Sequence, residues 1–277
     1  MNFRPDLFAK EAFLFGATII IGLAAAYRYA IQLSSAPIIQ APTFSFGQMV
    51  FLAAAISFFV LAAKGRWGKY VIWTFFVIVI WSGVQVLSDI FIRSSLGIFS
   101  GILVLTLFFS WRSVLMHDLT MILALAGIGA TIGTAITPTV GIIALIALSF
   151  YDIIAVYRTR HMVRLAEGML KAGAVSGFII PQDTKGFLTD RRLARPHFGD
   201  KFMILGSGDV VFPLIFAASL MRQSLAEAVI VGTFSVIGLL LTHLLFVGQE
   251  KRRAMAALPP IATMCLIGYL IALLFNL

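Results

Sequence analysis

The sequence predicts an all-α membrane protein with nine transmembrane helices, and three observations carry that expectation. Of its 277 residues, 60% are hydrophobic and 12% charged, and mean hydropathy is +1.00. Apolar runs of membrane-spanning length recur along the whole chain. The basic residues gather in alternate gaps between those runs.

Runs of about 17–25 apolar residues bounded by charge, Pro or Gly give nine spans. They cover about 12–33, 46–63, 69–88, 91–110, 117–136, 139–157, 203–222, 225–247 and 255–275. The first follows Met1–Glu11 and is too long for the apolar core of a cleaved signal peptide, so it reads as a span. The fifth and sixth divide at Thr137-Pro138, because one helix through that proline would exceed the bilayer thickness. Ser224 and Glu227 read as a capping box opening the eighth. Gly97/Gly101 and Gly129/Gly133 have the small-residue spacing that lets helices approach closely, and they leave a homo-oligomer open.

Nine spans place the amino terminus on one side with the gaps after spans two, four, six and eight. That side holds eighteen Lys and Arg residues and the other holds three, Arg28, Arg93 and Arg222. Without the long gap at 158–202 the tally is still nine to three. The excess puts the amino terminus in the cytoplasm and the carboxyl terminus outside. It also accounts for the net charge of +9 through topology and attraction to anionic lipid, with no basic domain for nucleic acid. The chain therefore divides into a six-span part (1–157), a cytoplasmic loop (158–202) and a three-span part (203–277). The loop contains a β-prone run, Val175 to Ile180. It reads either as a surface segment in the headgroups or as a strand edge able to pair with an extended substrate.

One cysteine, Cys265, excludes an internal disulfide and a cysteine metal site, and the four histidines show no metal-ligand spacing. His243, in the eighth span, reads as a polar core residue.

Two acidic residues lie within spans, Asp152 in the sixth and Asp209 in the seventh. Each is expensive there and functional by default. Asp152 stands six residues before Arg158, and Asp209 eight residues after Lys201. Those are depths of about 9 and 12 Å from the cytoplasmic edge. Two carboxyls brought together at one level share a proton. One can then act as base toward water while the other polarises a peptide carbonyl, with no metal or cofactor. Gly206 and Gly208 flank Ser207 just ahead of Asp209 and remove side chains where another backbone could approach, or simply where helices pack. Ala257-Leu258-Pro259-Pro260 begins the ninth span at a similar depth. It is either an irregular segment or a helix start with Pro in its first turn.

Tyr151-Asp152, Gly206-Ser207-Gly208-Asp209 and Ala257-Leu258-Pro259, in that order on spans six, seven and nine, resemble the presenilin and signal peptide peptidase family. The resemblance covers essentially the whole chain, and the compact ends look like those of archaeal presenilin homologues. It implies a presenilin-like fold, and Asp152 and Asp209 as the catalytic dyad of an intramembrane aspartyl protease. Tyr151, Gly206, Ser207, Gly208, Ala257, Leu258 and Pro259 would border the site. The substrates implied are transmembrane segments of membrane proteins or signal peptides, unwound in the lipid bilayer before hydrolysis. Ala256 departs from the family's Pro-Ala-Leu. A proton-coupled transporter is the competing class, since intramembrane aspartates and broken helices also serve ion coupling. Prepilin-type peptidases share only the Gly-x-Gly-Asp sequence, and a noncatalytic scaffold leaves the aspartates unexplained.

Overall fold

The computed structural model describes residues 4–34, 68–92, 97–159, 169, 174–191, 202–249 and 255–275. Among them are eight α-helices and one two-stranded sheet. The expected second span, 46–63, lies outside the described residues, as do Ala254 and the basic run before it.

Helix α1 (Pro5–Ser34) opens on a proline, whose missing N–H costs nothing at a first helical position. It starts well before the expected span. Glu11, expected outside the membrane run, is therefore carried two turns into the helix and is 1% exposed. Helices α2 (Gly68–Ile92) and α3 (Gly97–Ser110) take the place of the third and fourth spans. Helix α4 (Val114–Ala135) is capped by Ser113, whose hydroxyl accepts the Met116 N–H at 3.2 Å. Helix α5 (Pro138–Ile153) has Thr137 as its N-cap and Pro138 in its first turn, so the chain divides at Thr137-Pro138 as expected. A π-helical turn, Ile154–Arg158, continues α5.

The loop expected at 158–202 contains strand β1 (Gly177–Pro181), which pairs antiparallel with β2 (Phe202–Gly206). Gly177 faces Gly206, and Ile179 faces Ile204. The β-prone run is thus a strand, all five of whose residues are buried. A Cβ on Gly177 would collide with the Leu205 carbonyl oxygen across the ladder, so glycine is required there.

Helix α6 (Ser207–Ser219) is the largest departure from expectation. The apolar run 203–222 was expected to be one helix, but its first residues belong to β2. Strand and helix are equally compatible with a short apolar run such as Met203-Ile204-Leu205, and the pairing with β1 decides between them. Thirteen helical residues reach only about 20 Å. Helix α7 (Leu225–Val247) is capped by Ser224, whose hydroxyl accepts the Glu227 N–H at 3.3 Å. Only that half of the expected capping box forms, since the Ser224 N–H bonds Leu220 O instead. Helix α8 (Leu258–Leu274) completes the fold with both prolines in its first turn, so the segment at 255–257 is irregular and the prolines themselves are helical.

Helix α4 packs against α1, α2 and α6, and α8 packs against α7 and α5. The small-residue pairs are consumed in this packing. Leu214 of α6 fills the notch between Gly22 of α1 and Gly129 of α4, and Gly133 lies against Ile215 and Ala218. Gly97 abuts Asp89, and Gly101 abuts Trp81 of α2. Five of the helices are long and apolar enough to cross a membrane, α3, α6 and α8 being shorter apolar helices.

Candidate active site

Asp152 ends the regular part of α5 and is 5% exposed. A carboxyl buried there needs donors. Helix α8 supplies one, because the Leu258 N–H donates to Asp152 Oδ2 at 3.3 Å. The first N–H groups of a helix have no partner inside it. In α8 two of those donors do not exist, since Pro259 and Pro260 carry none. Of the donors that remain, the Leu258 N–H is aimed at the carboxyl, at the helix end where a negative charge is favoured. The Ala-Leu-Pro segment is therefore in direct contact with Asp152. Ala256 and Leu258 are both buried, while Ala257 and Pro259 are partly exposed. The π-turn that follows Asp152 widens the helix at this point. Such turns are frequent at functional sites.

Asp209 lies in the first turn of α6, immediately past the strand-to-helix junction, and is half-buried. Its carboxyl folds back over its own strand, and a Cβ on Gly206 would come within 2.9 Å of Asp209 Oδ2. The space left by Gly206 is thus filled by Asp209 itself rather than by a second backbone. A Cβ on Gly208 would meet the Phe212 ring at 3.2 Å. The Ser207 hydroxyl pairs with Ser176 Oγ at 2.9 Å and ties the junction to the chain ahead of β1. Helices α5 and α6 pack together. The fold therefore sets Leu258 against Asp152 and Gly206 against Asp209, on two helices that pack together. Tyr151, one residue from Asp152, is 52% exposed on the outer face of α5.

Three buried polar residues escaped the sequence reading. Glu11 Oε2 meets His243 Nδ1 at 3.0 Å, joining α1 to α7, and both residues are almost fully buried. His243 is thus a partnered core residue, as expected, but its partner was not foreseen. His117 and Asp118 of α4 both bond β1: His117 Nε2 lies 2.9 Å from Gly177 O, and the Ile179 N–H donates to Asp118 Oδ1 at 2.9 Å. The signals were present. Reading Pro5 and Ser113 as helix starts places Glu11 and Asp118 inside helices instead of at span ends. Among the described residues no three His, Cys, Asp or Glu side chains group as metal ligands.

No curated protein sequence matches the chain. Its fold matches two crystal forms of a presenilin family intramembrane aspartate protease. The P2 form is 20% identical with a TM-score of 0.59, over 94% of this chain and 96% of that one. The C222 form is 17% identical with a TM-score of 0.61, over 95% and 99%. The family model for signal-peptide peptidase and presenilin aspartyl proteases matches residues 17–277. With nearly the whole length matched by that model, the chain belongs to the signal-peptide peptidase and presenilin aspartyl protease family.

Proposed function

We propose that this protein is an intramembrane aspartyl endopeptidase of the Gly-x-Gly-Asp type, with Asp152 and Asp209 as its dyad. What supports the reading is a carboxyl on each of two apolar helices that pack together, one of them held by the Leu258 N–H. In the working state one carboxyl is ionised and the other protonated. The ionised one removes a proton from a water held between them. The water oxygen adds to the peptide carbonyl carbon while the protonated carboxyl donates to the carbonyl oxygen. Collapse breaks the C–N bond, and the proton taken from water passes to the leaving nitrogen. The products are a carboxylic acid and an amine, and no cofactor takes part.

The substrates are transmembrane segments of membrane proteins or signal peptides, which must be extended locally before a bond reaches the dyad. The β2 strand supports this. Ser207 N bonds Ser176 O across the sheet, so alternation turns the N–H and C=O of Ile204 away from β1. That edge runs straight to Gly206, beside the Asp209 carboxyl, and an extended chain could add to it as a further strand.

Nine spans in a cell membrane, with the amino terminus in the cytoplasm and the carboxyl terminus outside, fit this reading. Eight described helices, five of them of spanning length, together with the apolar run at 46–63 support that number, and the charge asymmetry supports the direction. The test is purified protein reconstituted in lipid and offered a single-span peptide. Cleavage is expected, and it should vanish in both Asp152→Ala and Asp209→Ala. Proton-coupled solute flux without cleavage would instead establish the transporter class.

A further inference from the structure

Strand β1 has two edges, and only one is used by β2. The parity set by the Ser207 to Ser176 bond turns the backbone groups of Gly177, Ile179 and Pro181 to the other edge. Side chains from two helices meet them there. His117 Nε2 lies 2.9 Å from Gly177 O, and since a carbonyl only accepts, Nε2 carries the proton. The Ile179 N–H donates to Asp118 Oδ1 at 2.9 Å. Lys10 Nζ donates to Pro181 O at 3.0 Å and to Gln182 O at 2.6 Å. Pro181 itself has no N–H to satisfy.

Both α4 residues are placed rigidly. The His117 ring is 2% exposed and lies nearly parallel to Phe76 of α2, with centroids 6.3 Å apart, and 5.9 Å from Phe108 of α3. The Arg191 guanidinium sits 3.6 Å over the far ring, Phe108. Asp118 is fully buried, and its second oxygen, Oδ2, has no partner among the described residues. A carboxyl is costly at such a place. A purely structural site would be served as well by an apolar residue beside a strand bonded elsewhere.

We propose that His117 and Asp118 are positioning residues. They clamp β1 by its outer edge, and through the β1–β2 ladder they fix the depth of β2 relative to Asp209. This rests on the protease reading for its consequence, namely which substrate bond is presented to the dyad. Among the described residues, the clamp leaves β2 as the edge open to an incoming strand. Slippage of the ladder by two residues would carry that edge about 7 Å along the strand and present a different bond.

The experiment has two arms on the full-length reconstituted protein. The first is hydrogen exchange of the β1 and β2 amides, which needs no activity. Asp118→Leu and His117→Phe should exchange at least about tenfold faster there, an effect of about 1.4 kcal/mol. Asp118→Asn keeps an acceptor oxygen and should exchange like wild type. The second arm is mass spectrometry of the products of a single-span peptide, with KM and kcat. Asp118→Leu and His117→Phe should shift the dominant cleavage position and raise KM more than they lower kcat. Asp118→Asn should keep the wild-type position. Faster exchange without any wild-type cleavage would uphold the clamp and sink the protease reading. Wild-type cleavage, with exchange and cleavage position unchanged in folded Asp118→Leu, would overturn the clamp alone. If Asp118→Leu does not fold, His117→Phe decides by the same two readouts, since it keeps the ring stacked between Phe76 and Phe108.

Discussion

At Asp152 an apolar setting demands a donor for the carboxyl, and the start of the nearest helix provides one in the Leu258 N–H. The same logic governs Glu11 and His243, which answer each other across α1 and α7. Removing one partner leaves the other buried with a lost hydrogen bond. Glu11→Leu or His243→Leu should each lower stability in detergent by about 1–3 kcal/mol. The double variant should lose less than the sum, as read by thermal melts of all four proteins. The dyad sets a second expectation. It needs one protonated and one ionised carboxyl, so kcat/KM should rise and then fall with pH between roughly pH 4 and 9. A steady rise across that range would count against a shared proton. Asp152 and Asp209 were legible in the sequence because charge in an apolar run is conspicuous. Glu11 and Asp118 were not, because they sit near run ends, where a few residues of uncertainty in a helix start separate the surface from the core.

The element that decides the site is the junction of β2 and α6. Its residues were legible as a motif, but its conformation was not. Met203-Ile204-Leu205 carries no periodicity that separates strand from helix, and its partner strand is about 25 residues upstream. What the pairing achieves is a short α6 whose first turn starts beside the strand, so that Asp209 folds back over Gly206. Gly206→Ala should therefore displace the Asp209 carboxyl, lowering kcat/KM by about 10- to 100-fold with the melting temperature nearly unchanged. Gly208→Ala meets a phenylalanine ring at 3.2 Å instead. It should cost less activity, and the pair of variants assayed together separates the two effects. Of the two readings of the ninth-span segment, the structure bears out the helix start with Pro in its first turn, and the irregular residues lie before it at 255–257.

Across the whole molecule, composition was enough for a mostly helical membrane fold, because bilayer thickness acts on every span alike. Pairings between distant elements, such as α4 with β1, depend on tertiary contacts that no local pattern encodes. The orientation is testable directly. Cysteines introduced at the amino terminus and at the carboxyl terminus, with Cys265 replaced by Ala, should label from opposite sides of the membrane. Labelling of both ends from one side would mean an even number of spans. The central claim, that Asp152 and Asp209 work as one unit, is tested most directly by a double-mutant cycle in cleavage of a single-span peptide by reconstituted protein. Asp152→Asn and Asp209→Asn should each lower kcat by at least about a thousandfold, and the double variant should lose little more than either. Substantial activity in either single variant, or losses that multiply in the double, would contradict a dyad.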